Sequence, residues 1–279
     1  MANARQLRLA RLLREFREKA GVDQQQVAKH LGIHRSAIGH WEMARSRPSK
    51  EKLEQLLDAY GVDDEERLHV EQMRADSNKS GWWTLHKLPS TFEPYVGFEA
   101  DAVEAFNFEI TMIPGLLQTR EYSRALHRTA RTPLSPLVVE NHVDARARRQ
   151  ERLDEDDPLV LHVVIAEEAF LRTMGSERVM AEQVDHLIAM SKRENIRIHL
   201  LPLNAADHTT LQCGFSVLRF PQHGDVAFVD SPLAGHIVDG SEQTGELNRL
   251  FGQFQQAALG AAESRSYLAT LRSRYETDA

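Results

Sequence analysis

Apolar residues near the start of the chain recur every three or four positions. Leu9, Leu12, Leu13 and Phe16 form one stripe and predict a helix over about residues 4–20. Its other faces carry Arg5, Arg8, Arg11, Arg14 and Arg17; some of this run reads as a solvated surface, with one or two positioned to reach phosphate. A second helical pattern follows, opened by Asp23 as N-cap, with Val27, Ala28 and Leu31 on its apolar face. Gly32 ends it, because glycine accepts the positive φ that a short turn between helices often demands. Ile33 plugs that turn, and a third helix turns Ala37, Ile38 and Trp41 inward, crossing closely over the small Ala28. Helix four starts near Ser49 with Leu53, Leu56 and Leu57 inward. A fifth spans about 63–76, capped by Asp63 and carrying Leu68, Val70 and Met73. Residues 1–76 therefore form an all-α unit of about five helices.

The pattern changes after residue 76. SNKSGWWTLHKLPST, residues 77–91, is rich in Ser, Gly, Thr and Lys and has the character of a linker. Trp82 and Trp83 are out of place in a plain connection. They point to packing on a domain surface or, as the alternative, to an aromatic platform for a ligand or partner. Further on, Phe106, Phe108, Ile110 and Met112 alternate strictly, as in a half-buried strand ended by Pro114 and Gly115. Residues 159–165, 196–203, 214–220 and 226–230 make further strands, the last two joined by the turn-like 221–225. Between them lie helices capped by Thr119, running over about 135–153, over about 176–192, over about 241–259 and over about 264–275. This mixed order predicts an α+β domain over 92–279 with a mainly antiparallel sheet.

Composition narrows the classes. The chain has 279 residues with 42% hydrophobic and 27% charged, enough for two ordinary globular domains. A single cysteine, Cys213, excludes an internal disulfide and a cysteine-rich zinc site, and suits a reducing compartment. The basic, amphipathic N-terminus lacks the uninterrupted apolar core of a signal peptide, and Glu15 and Glu18 argue against a mitochondrial presequence. No stretch is apolar enough to span a membrane, so no membrane partner and a cytoplasmic location are expected. The net charge of −7 divides unevenly. Residues 1–60 hold 12 Lys+Arg against 7 Asp+Glu, and the remainder holds 22 against 34, so the positive charge sits where the two crossed helices sit and the rest is acidic.

A positive unit with two rigidly crossed helices is built to lay its third helix in the major groove of DNA. The competing reading is a helical hairpin that packs against something else. Arg35, Ser36 and His40 lie on the outer face of the third helix, where arginine can pair with a guanine edge. Gln24 and Gln25 open the preceding helix, the place for phosphate contacts. Arg45, Arg47 and Lys50 follow the third helix and are expected to clamp the sugar-phosphate backbone. The segment from Leu7 to Val62 resembles the Cro/repressor-like (XRE-family) helix-turn-helix domains through Gly21, Gln24, Val27, Ala28, Leu31, Gly32, Arg35, Ser36, Ile38, Trp41, Glu42, Arg47 and Pro48. It departs from them at His34, where they favour Ser or Thr as cap, and at Gly39 inside the recognition helix.

The rest of the chain resembles the domain that follows the helix-turn-helix in actinobacterial WhiJ-like or Scr-type antitoxin-like regulators. The resemblance is carried by YVGFEADA at 95–102, MIPGLLQTREYSRAL at 112–126, RRQERL at 148–153, IRIHLLPL at 196–203 and FSVLRF at 215–220. PGLLQT at 114–119 is the most specific of these. The resemblance implies a transcriptional regulator whose gene often neighbours one for a small protein, the pair behaving like antitoxin and toxin.

Catalytic signals are weak. Among thirteen histidines there is no HExxH, and GxSxG, phosphate-loop and dinucleotide motifs are absent. His199, His208, His223 and His236 lie in or between strands and would have to converge to hold a metal. Glu167-Glu168 and the acidic run 154–157 read as hydrated charge. No metal, cofactor or catalytic residue is expected. For sensing, the loops 204–214 and 231–240 beside strands are the candidates, with Trp82, Trp83, His208 and His236 as possible partner or ligand contacts. The expectation is a sequence-specific transcriptional regulator. It would bind a double-stranded operator as a homodimer, controlled through its second domain by a small protein or a small-molecule effector. The rivals are a DNA-tethered enzyme and a partner-sequestering protein whose DNA binding is incidental.

Overall fold

The computed structural model describes residues 4–76, 81–86, 88–129, 133–205, 213–221, 223–231 and 235–277. The chain divides into two compact units, Met1–Thr84 with Glu93–Phe98, and Leu85–Phe92 with Glu99–Ala279.

The first unit holds α1 (Ala4–Lys19), α2 (Gln24–His30), α3 (Arg35–Glu42), α4 (Lys50–Tyr60) and α5 (Asp64–Asp76). Asp23 closes a full capping box on α2, its carboxylate accepting from the Gln25 and Gln26 N–H groups while Gln26 reaches back to the Asp23 N–H. Ser49 and Asp63 cap α4 and α5 through the N–H groups of Lys52 and Glu66. Gly32 and Gly61 stand at φ +63° and +68°, so each supplies the left-handed residue that turns the chain after a helix. One core joins all five helices: Leu9, Leu12, Leu13, Val27, Ile38, Leu53, Leu57 and Val70 belong to it.

Two details go beyond the sequence pattern. Leu68 is 70% exposed. It lies about 200° around the helix from Val70, which is the residue that enters the core. The arginine run is not a solvated face throughout. Arg11 is buried on Glu15 at 2.7 Å, and Arg17 is drawn under α3.

Within the expected linker, Trp82–His86 forms a short 3-10 turn. Trp83 is buried and meets Trp82 edge-on at 5.9 Å. A Cβ on Gly81 would lie 2.3 Å from the Trp83 ring, so that ring is packed onto bare backbone.

The second unit is built on a six-stranded sheet of order β3-β2-β1-β4-β5-β6. Its strands are β1 (Glu104–Glu109), β2 (Val160–Ala166), β3 (Ile196–Leu201), β4 (Phe215–Phe220), β5 (His223–Val229) and β6 (His236–Val238). The β1–β2 and β2–β3 pairs are parallel and the other three antiparallel, so the sheet is mixed and mostly antiparallel. The parallel pairs follow from helical crossovers. The chain runs through α7 (Arg120–Arg128) and α8 (Pro136–Gln150) between β1 and β2, and through α9 (Glu177–Met190) between β2 and β3. Phe251 and Phe254 of α10 (Ser241–Ala257) cover one face, with Phe254 stacked on Phe108 at 4.2 Å. The closing helix α11 (Ala261–Thr277) packs against α9.

Three boundaries differ from the sequence pattern. The strand β1 stops at Glu109, short of Ile110 and Met112. The backbone of Ile113 is instead held by side chains: its N–H donates to the Tyr122 hydroxyl and its carbonyl accepts from Gln118 Nε2. The strand β5 begins at His223, inside the expected turn, and β6 occupies part of a segment expected to be a loop. The helix α6 (Glu93–Asp101) went unread because its apolar residues follow no single period. Among the described residues no helix is long and apolar enough to cross a membrane.

Candidate nucleic-acid interface

The presentation of α3 is fixed from below by ion pairing. Arg17 of α1 donates through Nε and Nη2 to the two carboxylate oxygens of Glu42, at 2.7 and 3.1 Å, and through Nη1 to the Val22 carbonyl at 3.0 Å. Gln24 Nε2 donates to the same carboxylate at 2.9 Å. One carboxylate at the end of α3 thereby ties together α1, the turn after it and the start of α2. Glu42 is almost wholly buried, and its hydrogen bond and charge raise the Arg17 pKa. Burial, with Glu42 adding to it, raises the Tyr60 phenol, whose hydroxyl is buried with no hydrogen-bond partner among the described residues. Ile38 supplies the apolar half of the anchor at 1% exposure.

The opposite face of α3 is open. Arg35, Ser36 and His40 are exposed, and none of their side chains makes a hydrogen bond or ion pair within the described residues. Ser36 and His40 stand one turn apart on one face, with Arg35 beside them at the first position. His34 stands at the N-cap with extended backbone and makes no side-chain cap, as its departure from Ser or Thr implies. Gly39 faces inward: a Cβ there would lie 3.8 Å from Gln24 Oε1, so this glycine does not bring backbone towards DNA. A hollow of about 360 Å³ lined by Arg17, Asp23, Gln24, Gln25 and Arg35 adjoins the open face.

The flanking residues divide into two kinds. Gln25, Arg45 and Lys50 are exposed, Lys50 with only a loose 3.8 Å approach to Glu54. Ala44, at φ +54°, reverses the chain after α3 and turns Arg45 outward. Gln24 and Arg47, by contrast, are engaged inside the unit. Gln24 holds Glu42, and Arg47 is half-buried and donates to the Arg74 carbonyl at 3.3 Å. The spacing of Arg17 and Glu42, 25 positions apart, does not mark them as anchors. The only signal was Glu42 among the residues shared with the resembled helix-turn-helix domains.

Of the histidines that would have to converge to hold a metal, His199 and His236 stand apart. His199 lies on β3 and His236 on β6, at opposite edges of the sheet, and His199 Nδ1 pairs with the Leu259 carbonyl at 3.0 Å. His236 is exposed, and His208 lies outside the described residues. No group of three His, Cys, Asp or Glu among the described residues is placed to hold a metal. Of the loops expected to sense, 206–212 and 232–234 lie outside the described residues.

A small helical unit with a free recognition face on a pinned third helix defines the class: a helix-turn-helix DNA-binding protein. Residues 8–70 match the family described as Helix-turn-helix domain. Residues 92–270 match the family described as Domain of unknown function (DUF5753), and the chain belongs to it. No curated protein and no solved structure matches the chain.

Proposed function

We propose that the protein is a sequence-specific transcriptional regulator of XRE type that binds a two-fold DNA operator as a homodimer. Its second domain serves control rather than catalysis. The observation that carries this reading is the unpaired, exposed set Arg35, Ser36 and His40 on a helix whose opposite face is locked by Glu42. A single module touches few base pairs, so two recognition helices about 34 Å apart would supply a usable site. Two buried carboxylates of the second unit serve the fold: Glu99 pairs with Arg149, and Glu167 accepts from Tyr267 and from the Leu203 N–H. An effector acts there, either a small molecule or the small protein of an antitoxin-like pair.

The test is selection of DNA fragments by the purified chain, followed by binding at two salt concentrations. Arg35→Ala is expected to cost about 1–3 kcal/mol on the selected site and to relax its sequence choice. Arg45→Ala is expected to weaken all sequences evenly and to reduce the salt slope by about one. Equal, sequence-blind losses for both variants remove the assignment. Co-purification of a small protein at fixed stoichiometry, from cells expressing the neighbouring gene, tests the antitoxin-like variant.

A further inference from the structure

The second unit contains a cavity of about 330 Å³ between α7, α8 and the segment before α6. Its walls are of two kinds. Pro89, Phe92 and Leu134 give it an apolar body, and His127, His142, Arg146 and Arg149 line a nitrogen-rich part. Arg149 is already neutralised: its Nε and Nη2 hold both oxygens of buried Glu99 at 2.6 and 2.7 Å. Arg146 is not. Its Nη1 meets Gln118 Oε1 and Ser123 Oγ, both neutral acceptors, and it forms no ion pair among the described residues. Its Nε is buried without a partner, and its Nη2 makes no hydrogen bond. His127 adds a buried Nε2, also without a partner, with its ring edge-on to His142 at 5.0 Å.

The carboxylates that act on Arg146 are Glu99, already held by Arg149, and Glu109, kept largely protonated at neutral pH by a pKa raised to about 8 through burial and Asp230. A guanidinium enclosed with no carboxylate in ion-pair contact is costly, and an apolar chamber beside it asks for a particular occupant. We propose that this cavity binds a small organic carboxylate with an apolar aliphatic or aromatic body, the carboxylate resting on Arg146. One unpaired cation selects a monoanion, because a dianion would bury a second charge unmatched. Cationic ligands are repelled by Arg146. The two histidines add no charge at neutral pH: burial, with Arg146 assisting, lowers both, His127 to about 4. The volume matches the lower end of small-ligand sites. This names an effector class for the control domain and rests on the regulator reading only for its consequence, since binding is measured without DNA.

The test uses the full chain with decanoate and 4-phenylbutyrate, their primary amides, and inorganic phosphate, read by calorimetry and thermal shift. The acids are expected to bind about tenfold or more tighter than the amides, with phosphate silent. Leu134→Trp fills the cavity from its rim and is expected to abolish acid binding with the fold intact. Arg146→Gln is expected to bring acid and amide to similar affinity. Equal binding of acid and amide, tighter binding of phosphate, no binding of either acid, or acid affinity unchanged in Leu134→Trp overturns the site. Acid binding in a chain that selects no DNA leaves the site standing and removes the regulator reading instead.

Discussion

Glu42 is the residue on which the recognition helix depends. Truncating it strands Arg17 beneath α3 and deprives Gln24 of its acceptor. Breaking a buried pair from one side costs about 3–5 kcal/mol. Glu42→Ala is therefore expected to lower hydrogen-exchange protection of the Ile38 amide by about two to three orders of magnitude, with the second unit's sheet amides unaffected. Gly39 should behave oppositely. Its φ is not positive, and an added Cβ would find only ordinary contact at 3.8 Å. Gly39→Ala is expected to raise the stability of the first unit by about 1 kcal/mol and to leave DNA affinity unchanged, measured by urea unfolding and operator titration. Glu109 sets a pH dependence. Burial first, and then Asp230, raise its carboxyl to about 8. The folded state then binds a proton that the unfolded state releases from about pH 4.5 upward, so this group erodes stability between about pH 4.5 and 8. Glu109→Gln should show a stability advantage that widens across that window and levels above it, followed as melting temperature against pH.

At the scale of elements, what could be read depended on how each one earns its place. Helices α1 to α5 were legible because their apolar stripes and caps are local: Asp23, Ser49 and Asp63 each cap a helix within three residues. The strands were legible as apolar runs, but their ends were not. Beyond the end of β1, side-chain bonds from Tyr122 and Gln118 hold the Ile113 backbone, and nothing in the alternation announces them. The strand β6 is three residues long and holds its place through β5, a partner that its own sequence does not specify. The open face of α3 was legible because Arg35, Ser36 and His40 alternate with inward Ile38 and Trp41. Its anchor was hidden because Arg17 and Glu42 are 25 positions apart. Gln24 and Arg47 look like their exposed neighbours in sequence, and only tertiary geometry gives them internal partners.

For the molecule as a whole, the sequence separates a positive first 60 residues from an acidic remainder, and that division falls inside the helix-turn-helix match, because α5 opens on the acidic run 63–66. The cavity beside Arg146 was invisible at that level. RRQERL was read as one part of a resemblance, whereas the structure gives Arg149 a carboxylate partner and leaves neighbouring Arg146 without one. The central position of β1 has a last consequence. It pairs with β4 more than a hundred residues downstream, from Glu104↔Arg219 to Phe108↔Phe215. During synthesis the core that joins α1 to α5 is complete once Met73 has emerged, so its contacts can form early. The flank of β1 stays bare until Phe220 has left the ribosome, so a stalled chain would carry a finished reading head and a sheet still open to any passing strand.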